Sequence, residues 1–282
     1  MKFLFVYDNL PLGKSIHSIT LVLPINVFHI AVESLYKELE KCLGYKHRVE
    51  GGNGLSSTFQ TPGYSPIVLP RNKRYGNNCW NAAGRKVGLR DIVLYSDLEF
   101  DHWLNVESDY RVLTYCEQPC EIEFVLKGKR HTSILDMWIL YVNGKVLFIE
   151  VKYEKELHPR HRQYERTMRQ IEAQETWCNQ EGIGYEVRTE KQIRRSRFLI
   201  QNQLKIVSSV TNHEKPHCAN EVLKNITQKK RLDEIYSEMY EKVGKENIHL
   251  ACQWLIYEGH IQADLDNQIW SNQLEVWRNE QA

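Results

Sequence analysis

The sequence predicts an α/β protein, with a mixed central sheet flanked by helices and a mainly helical C-terminal region after it. Three observations carry this. Between Ser96 and Ile193 the hydrophobic pattern runs helix, several strands, helix, strand, the alternation that lays helices against a sheet. Within it, "SILDMWILYVNGKVLFIEVK" (Ser133–Lys152) reads as two apolar strands joined at Asn143-Gly144, a strong hairpin signal. After Thr211, apolar residues recur at helical spacing and strand signals become short.

Taken in order, residues 1–75 form an N-terminal extension and linker. They begin as strand or loop, continue as an amphipathic helix ending near Gly44, and close on the Gly-, Ser- and Pro-rich "GGNGLSSTFQTPGYSP". Residues 76–210 form the α/β unit. There, "SDLEFDHWLNVES" is a helix started by Ser96, and "YRVLTYCEQPCEIEFVL" gives two strands broken by Pro119. The hairpin follows, then a long amphipathic helix within "HPRHRQYERTMRQIEAQETWCNQEG" that stops at Gly182, then a strand in "IGYEVRTEKQI". Residues 211–282 form a third region behind the polar, Pro-punctuated "TNHEKPHCAN". One helix runs to Lys242, a second ends at Gly259, and "GHIQADLDNQIW" reads as a short strand and wing-like turn. That rhythm is winged-helix-like, with a core around Leu250, Trp254, Leu255 and Ile261.

Composition narrows the class. Hydrophobic residues at 42% and charged residues at 26% are those of a soluble globular protein. A formal net charge of +1 means that any nucleic-acid surface has to be local. Seven scattered cysteines fit reduced thiols, and Cys116 and Cys120 lack the second close pair of a zinc site. Asp8 interrupts the N-terminal apolar run, against a signal peptide. The run "IHSITLVLPINVFHIAV" is short and polar-punctuated for a membrane span, so no membrane and a cytoplasmic location are expected.

Three charges stand inside the apolar hairpin: Asp136, Glu150 and Lys152. Such charges are costly without partners. Glu150 and Lys152 are two apart and share a strand face. A two-residue turn at Asn143-Gly144 would set Asp136 opposite Val151, on the other face. A three-residue loop, Asn143-Gly144-Lys145, would set it opposite Lys152, and a bulge in either strand could restore the same parity. Two carboxylates and a lysine on one face suit metal-assisted phosphodiester hydrolysis: carboxylates for Mg²⁺, lysine for the nucleophile or the transition-state charge. The bare pattern is also that of a salt bridge. Glu99 adds a third carboxylate, although Ser96 and Glu99 have capping-box spacing.

The order "SDLEFDHWL … SILDMWILYV … FIEVK" resembles the TnsA family of transposon-end endonucleases, over roughly residues 75–210. The resemblance implies a restriction-endonuclease-like catalytic core with Glu99, Asp136, Glu150 and Lys152 as catalytic residues. Of these, Glu99, Asp136 and Glu150 would be ligands of Mg²⁺, with Mn²⁺ as a substitute. Some members carry glutamine where this chain has Glu150. The resemblance further implies cleavage of the 5′ strands at transposon ends, a DDE transposase partner for the 3′ strands, and an AAA-type ATPase regulator bound by the C-terminal domain. Three basic runs flank the candidate site and supply DNA contacts: Arg85, Lys86 and Arg90; Arg160, Arg162 and Arg166; Arg194 and Arg195. Two other functions fit the same residues. One is another nuclease of the PD-(D/E)xK type, a restriction or junction-resolving enzyme, which would cut without partners. The other is a non-catalytic DNA- and partner-binding scaffold.

Overall fold

The computed structural model describes residues 2–4, 20–22, 64–70, 78–126 and 128–280. The chain divides into two compact units, Met1–Ser57 and Thr58–Ala282, and the division falls inside the stretch read as a linker. In the first unit, β1 (Lys2–Leu4) and β2 (Thr20–Val22) pair antiparallel, Lys2 opposite Val22. The amphipathic helix expected before Gly44, and Cys42 with it, lie outside the described residues.

The second unit opens with an antiparallel hairpin, β3 (Trp80–Gly84) and β4 (Arg90–Leu94), and α1 (Asp97–Ser108). Then come β5 (Val112–Glu117), β6 (Glu121–Leu126), β7 (Lys129–Ile134), β8 (Met137–Tyr141) and β9 (Val146–Val151). Helix α2 (Tyr164–Gln180), β10 (Gly184–Arg188), α3 (Glu190–Ile193) and α4 (Leu199–Asn212) complete this part. The central sheet has the order β10-β9-β8-β5, with β10 parallel to β9 and the other pairs antiparallel. This is the mixed α/β architecture expected, consistent with a restriction-endonuclease-like core.

Strand β9 is apolar but for Glu150 because both its faces are covered. Leu147, Ile149 and Val151 pack in one core with Leu98, Trp103 and Leu104 of α1. Phe148 turns to a second core with Trp138, Leu140 and Cys178 of α2. The turn before β9 runs Val142–Gly144, since Tyr141 N donates to Lys145 O at 2.9 Å. Gly144 takes the left-handed conformation that such a loop needs, at φ 83°. The loop thus has three residues but begins one residue earlier than expected. Met137 then faces Ile149, and the register brings Asp136 level with Glu150 rather than Lys152, on the same face.

The chain from β5 to β8 is one long ribbon with a flaw at the place that matters. Glu117 pairs with Met137, Gln118 N donates to Asp136 O, Leu135 N donates to Cys120 O, and Glu121 pairs with Ile134. Pro119 is the residue left over, a bulge where the chain has no N–H to offer. Gln118 beside it stands at φ 38° although it is not glycine.

Helix α4 joins two cores. Its Val207 packs with the sheet, while Ile206 and Val210 pack into a C-terminal core. The boundary expected near Thr211 falls in the last turn of this helix. Beyond it come α5 (Ala219–Asn225), β11 (Lys230–Arg231), α6 (Leu232–Val243), α7 (Lys245–Tyr257), β12 (Ile261–Ala263) and β13 (Glu275–Arg278). The three strands form a sheet of order β11-β13-β12. Leu255, Ile261 and Trp254 are buried as expected, and Leu250 packs partly buried against them. No helix among the described residues is long and apolar enough to cross a membrane.

The two cores meet at a buried carboxylate. Glu107 of α1 is fully buried. It accepts from Arg85 N at 2.9 Å, Tyr115 OH at 2.7 Å and Tyr257 OH of α7 at 2.8 Å. The packing is tight enough that a Cβ on Gly84 would sit 2.1 Å from the Tyr115 hydroxyl, so only glycine fits there. Burial raises the Glu107 pKa and lowers that of Lys86, each opposed by the charge of the other. Glu107→Ala would leave two phenols and the Arg85 and Lys86 backbone N–H groups without their acceptor. The expected loss is about 3 kcal/mol in urea unfolding, the scale of a few buried donors left unpaired. A loss below about 1 kcal/mol would show that the carboxylate does not tie the cores together.

Candidate active site

All four candidate residues lie where the central sheet ends. Glu150 is the penultimate residue of β9 and is 1% exposed, and Lys152 follows the strand with its N–H bonded to Arg188 O at 3.1 Å. The Lys152 ammonium pairs with Glu150 Oε1. Asp136, half-buried at the bulge just before β8, accepts from Val151 N through Oδ2 at 2.7 Å. Glu99 reaches back over the start of α1. It accepts from Ser96 Oγ at 2.9 Å and Tyr95 N at 3.1 Å, while its own N–H bonds to Ser96 Oγ. Ser96 therefore caps the helix, while the Glu99 carboxylate returns to Tyr95 N rather than to the Ser96 N–H that a full capping box uses. A further bond, from Gln118 Nε2 at 3.2 Å, ties Glu99 to the ribbon flaw beside Asp136.

The four charges act on one another. Burial, then the Glu150 charge, push the Asp136 carboxyl well above the usual carboxylate range, with Lys152 opposing. Burial also raises Glu99, against its hydrogen bonds from Tyr95 and Ser96, with Glu150 adding to the rise and Lys152 opposing it. For Lys152, burial works against the charge, but Glu150 and Asp136 outweigh it and hold the pKa above the ordinary lysine value. The cluster is an excess of negative charge gathered around one ammonium.

Among the described residues, no three His, Cys, Asp or Glu side chains converge as a ready-made metal cluster. The donor chemistry of Asp136 and Glu150 nonetheless fits a hard divalent cation: both are carboxylates, they meet on one sheet face, and they repel each other. Glu99 has both oxygens engaged by Ser96, Tyr95 and Gln118.

The expected DNA-contacting cations divide into two groups. Arg85, Lys86 and Arg90 turn inward. The guanidinium of Arg85 bonds to Val210 O and to Glu214 at 3.0 Å and lies over the Trp254 ring. The Lys86 ammonium donates to Asp109 O at 2.9 Å and Val112 O at 2.8 Å. Arg90 grips the buried Glu117 with two bonds of 2.6 Å. All three cations, expected to face DNA, are thus engaged by acceptors of the fold. Arg194 and Arg195 are paired with Asp101 and Asp266 but remain half exposed. Arg160, Arg162 and Arg166 are exposed where α2 begins. Arg162 and Arg166 line a cleft of about 460 Å³ with Tyr164 and Arg169.

Two residues that sequence reasoning missed complete the site. Gln170 and Gln174 of α2 donate to Glu150, at 2.8 Å to Oε1 and 2.9 Å to Oε2. The signal for them was a glutamine in the buried stripe Thr167, Ile171, Gln174 and Cys178. The described cysteines Cys116, Cys120, Cys178, Cys218 and Cys252 are thiols outside any disulfide.

Lys152→Met would leave Glu150 and Asp136 facing each other with no cation between them. At pH 8 we expect a loss of about 3 kcal/mol in urea unfolding. The loss should shrink toward pH 5, because the raised pKa values of Asp136 and Glu99 let them take up protons there. A loss that is absent, or equal at both pH values, would mean that Lys152 does not hold the carboxylates.

No curated protein matches the chain. A family model, TnsA-like endonuclease N terminal, matches residues 109–190. The match takes in Asp136, Glu150 and Lys152 and leaves Glu99 and the C-terminal region outside it. Residues 109–190, the part of the chain that carries the hairpin site, are thus similar to the N-terminal domain of TnsA-like endonucleases.

Proposed function

We propose that this protein is a divalent-metal-dependent DNA endonuclease of a heteromeric transposition system, cutting the 5′ strands at transposon ends beside a DDE transposase. The observation that carries the reading is the meeting of Asp136, Glu150 and Lys152 on one sheet face, within a segment matched as a TnsA-like endonuclease. Asp136 and Glu150 are the residues that would hold Mg²⁺, or Mn²⁺ in its place, with Glu99 closing the acidic set. A bound ion would supply an activated water and a counter-charge for the phosphate.

The chain's own groups do the rest. The ammonium of Lys152 stays protonated in the neutral range and stands beside the acids, where it can meet negative charge building on a phosphate. The bulge at Pro119 leaves Asp136 at a break in the ladder, with its Oδ2 anchored on Val151 N. Exposed Arg160, Arg162 and Arg166 are cations that can meet a DNA backbone, joined by Arg194 and Arg195 if their half-exposed pairs with Asp101 and Asp266 exchange for phosphate.

The C-terminal region supports a partner-binding role. Its order of helix, strand, helix, helix, strand, strand, with β13 between β11 and β12, supports a winged-helix-like reading. We assign it contact with an AAA-type ATPase regulator.

Asp136→Ala should abolish nicking of end-containing DNA in the presence of Mg²⁺ and the partner transposase. The expected drop is at least about a hundredfold, the scale of losing one electrostatic contact to a transition state. Circular dichroism should be unchanged, since the substitution relieves crowding among acids. Cutting at the wild-type rate would overturn the assignment.

A further inference from the structure

We propose that Gln170 and Gln174 are positioning residues: a neutral amide clamp that fixes the Glu150 carboxylate without cancelling its charge. The inference rests on the nuclease reading and deepens it.

The two side chains are four residues apart on α2 and so lie on one helix face. Gln174 is fully buried in an otherwise apolar stripe, a place where an amide is costly unless its hydrogen bonds are made. They are made. Its Nε2 donates to Glu150 Oε2 at 2.9 Å and to Ser133 Oγ at 3.0 Å. Its Oε1 accepts from the Tyr185 hydroxyl at 2.7 Å. The carboxylate fixes which way the amide faces, because it only accepts and needs an N–H opposite it, which leaves the amide oxygen for the phenol. The Gln174 nitrogen is thereby aimed at the carboxylate. Gln170 repeats the arrangement, donating to Glu150 Oε1 at 2.8 Å and to Ser133 Oγ at 3.1 Å.

Together with Lys152, the clamp decides what Glu150 has left to offer. An ionised carboxylate presents about four acceptor sites. Lys152 and Gln170 occupy those of Oε1, and Gln174 occupies one on Oε2. Among the described residues, the remaining site on Oε2 has no protein donor, and the amides hold it in a fixed direction. An arginine or lysine in either position would grip as well but would neutralise the acid. An amide grips and leaves the negative charge for a cation.

The test uses the full chain with Gln174→Met, which keeps the volume, and Gln170→Ala, which removes the less buried partner and guards against misfolding of the first. Mn²⁺ binding is read by calorimetry without DNA. Nicking of end DNA is read as a function of Mg²⁺ with the transposase present. We expect each variant to weaken Mn²⁺ binding and raise the Mg²⁺ half-saturation by about 10- to 100-fold, the usual effect of losing an outer partner of a metal ligand. Half-saturation by DNA should stay unchanged. Wild-type Mn²⁺ affinity and Mg²⁺ half-saturation in both variants, with only a lower melting temperature, would reduce the glutamines to packing and overturn the clamp. If the wild-type chain itself neither binds Mn²⁺ nor nicks DNA, the nuclease reading falls, and the clamp with it.

Discussion

Three carboxylates within reach of one ammonium is the constraint around which this fold is arranged. Like charges at the end of a sheet, largely out of water, repel strongly, and the raised pKa values of Asp136 and Glu99 record it. Each acid is therefore tethered. Glu150 is held by Lys152 and two amides, Asp136 by the Val151 N–H, and Glu99 by its own helix start and Gln118. Gln118 sits in a left-handed conformation that an L-residue adopts only when its surroundings insist. Such backbone cost is typical of sites where function has overruled local preference.

The protein solves the same problem a second time, with the opposite outcome. Glu107 and Lys86 are also an acid and an ammonium away from water. There the partners are backbone, phenol and ring groups inside the fold, and the Lys86 ammonium bonds to carbonyls rather than to the acid. The contrast separates a carboxylate that ties two cores together from one that stands in an acidic cluster. Glu107 answers to phenols and N–H groups, whereas the hairpin site keeps more acid than its lysine can answer.

Much of this was legible in the sequence, because it depends on period and parity. Ser96 starts α1, Pro119 breaks the ribbon, and Asp136, Glu150 and Lys152 come to one face as a three-residue loop requires. The register was missed by one loop position, since Lys145 bonds to Tyr141 across the hairpin rather than sitting in the turn. Strand β7, "KRHTSI", is polar and mostly exposed, so it carries no apolar alternation to read. Arg85, Lys86 and Arg90 look like any basic run. Only the fold reveals that Glu107 and Glu117, distant in sequence, wait beneath them. Gln170 and Gln174 carry no charge and belong to no short motif, which leaves burial as their only mark.

The topology of the sheet also divides the site by the reach of its contacts along the chain. Strand β6 pairs antiparallel with β7 and β8 with β9, and β5 meets β8 where the β6–β7 ribbon continues, so this meander is built from contacts close in sequence. β10 joins parallel to β9 and needs the crossover through α2. Asp136, Glu150 and Lys152 all belong to the meander, whereas Gln170, Gln174 and Tyr185 come with the crossover and its strand. The acids thus sit on a hairpin of near-neighbour contacts, whereas the cover over Glu150 belongs to the crossover, the part of the sheet that costs more chain entropy to close.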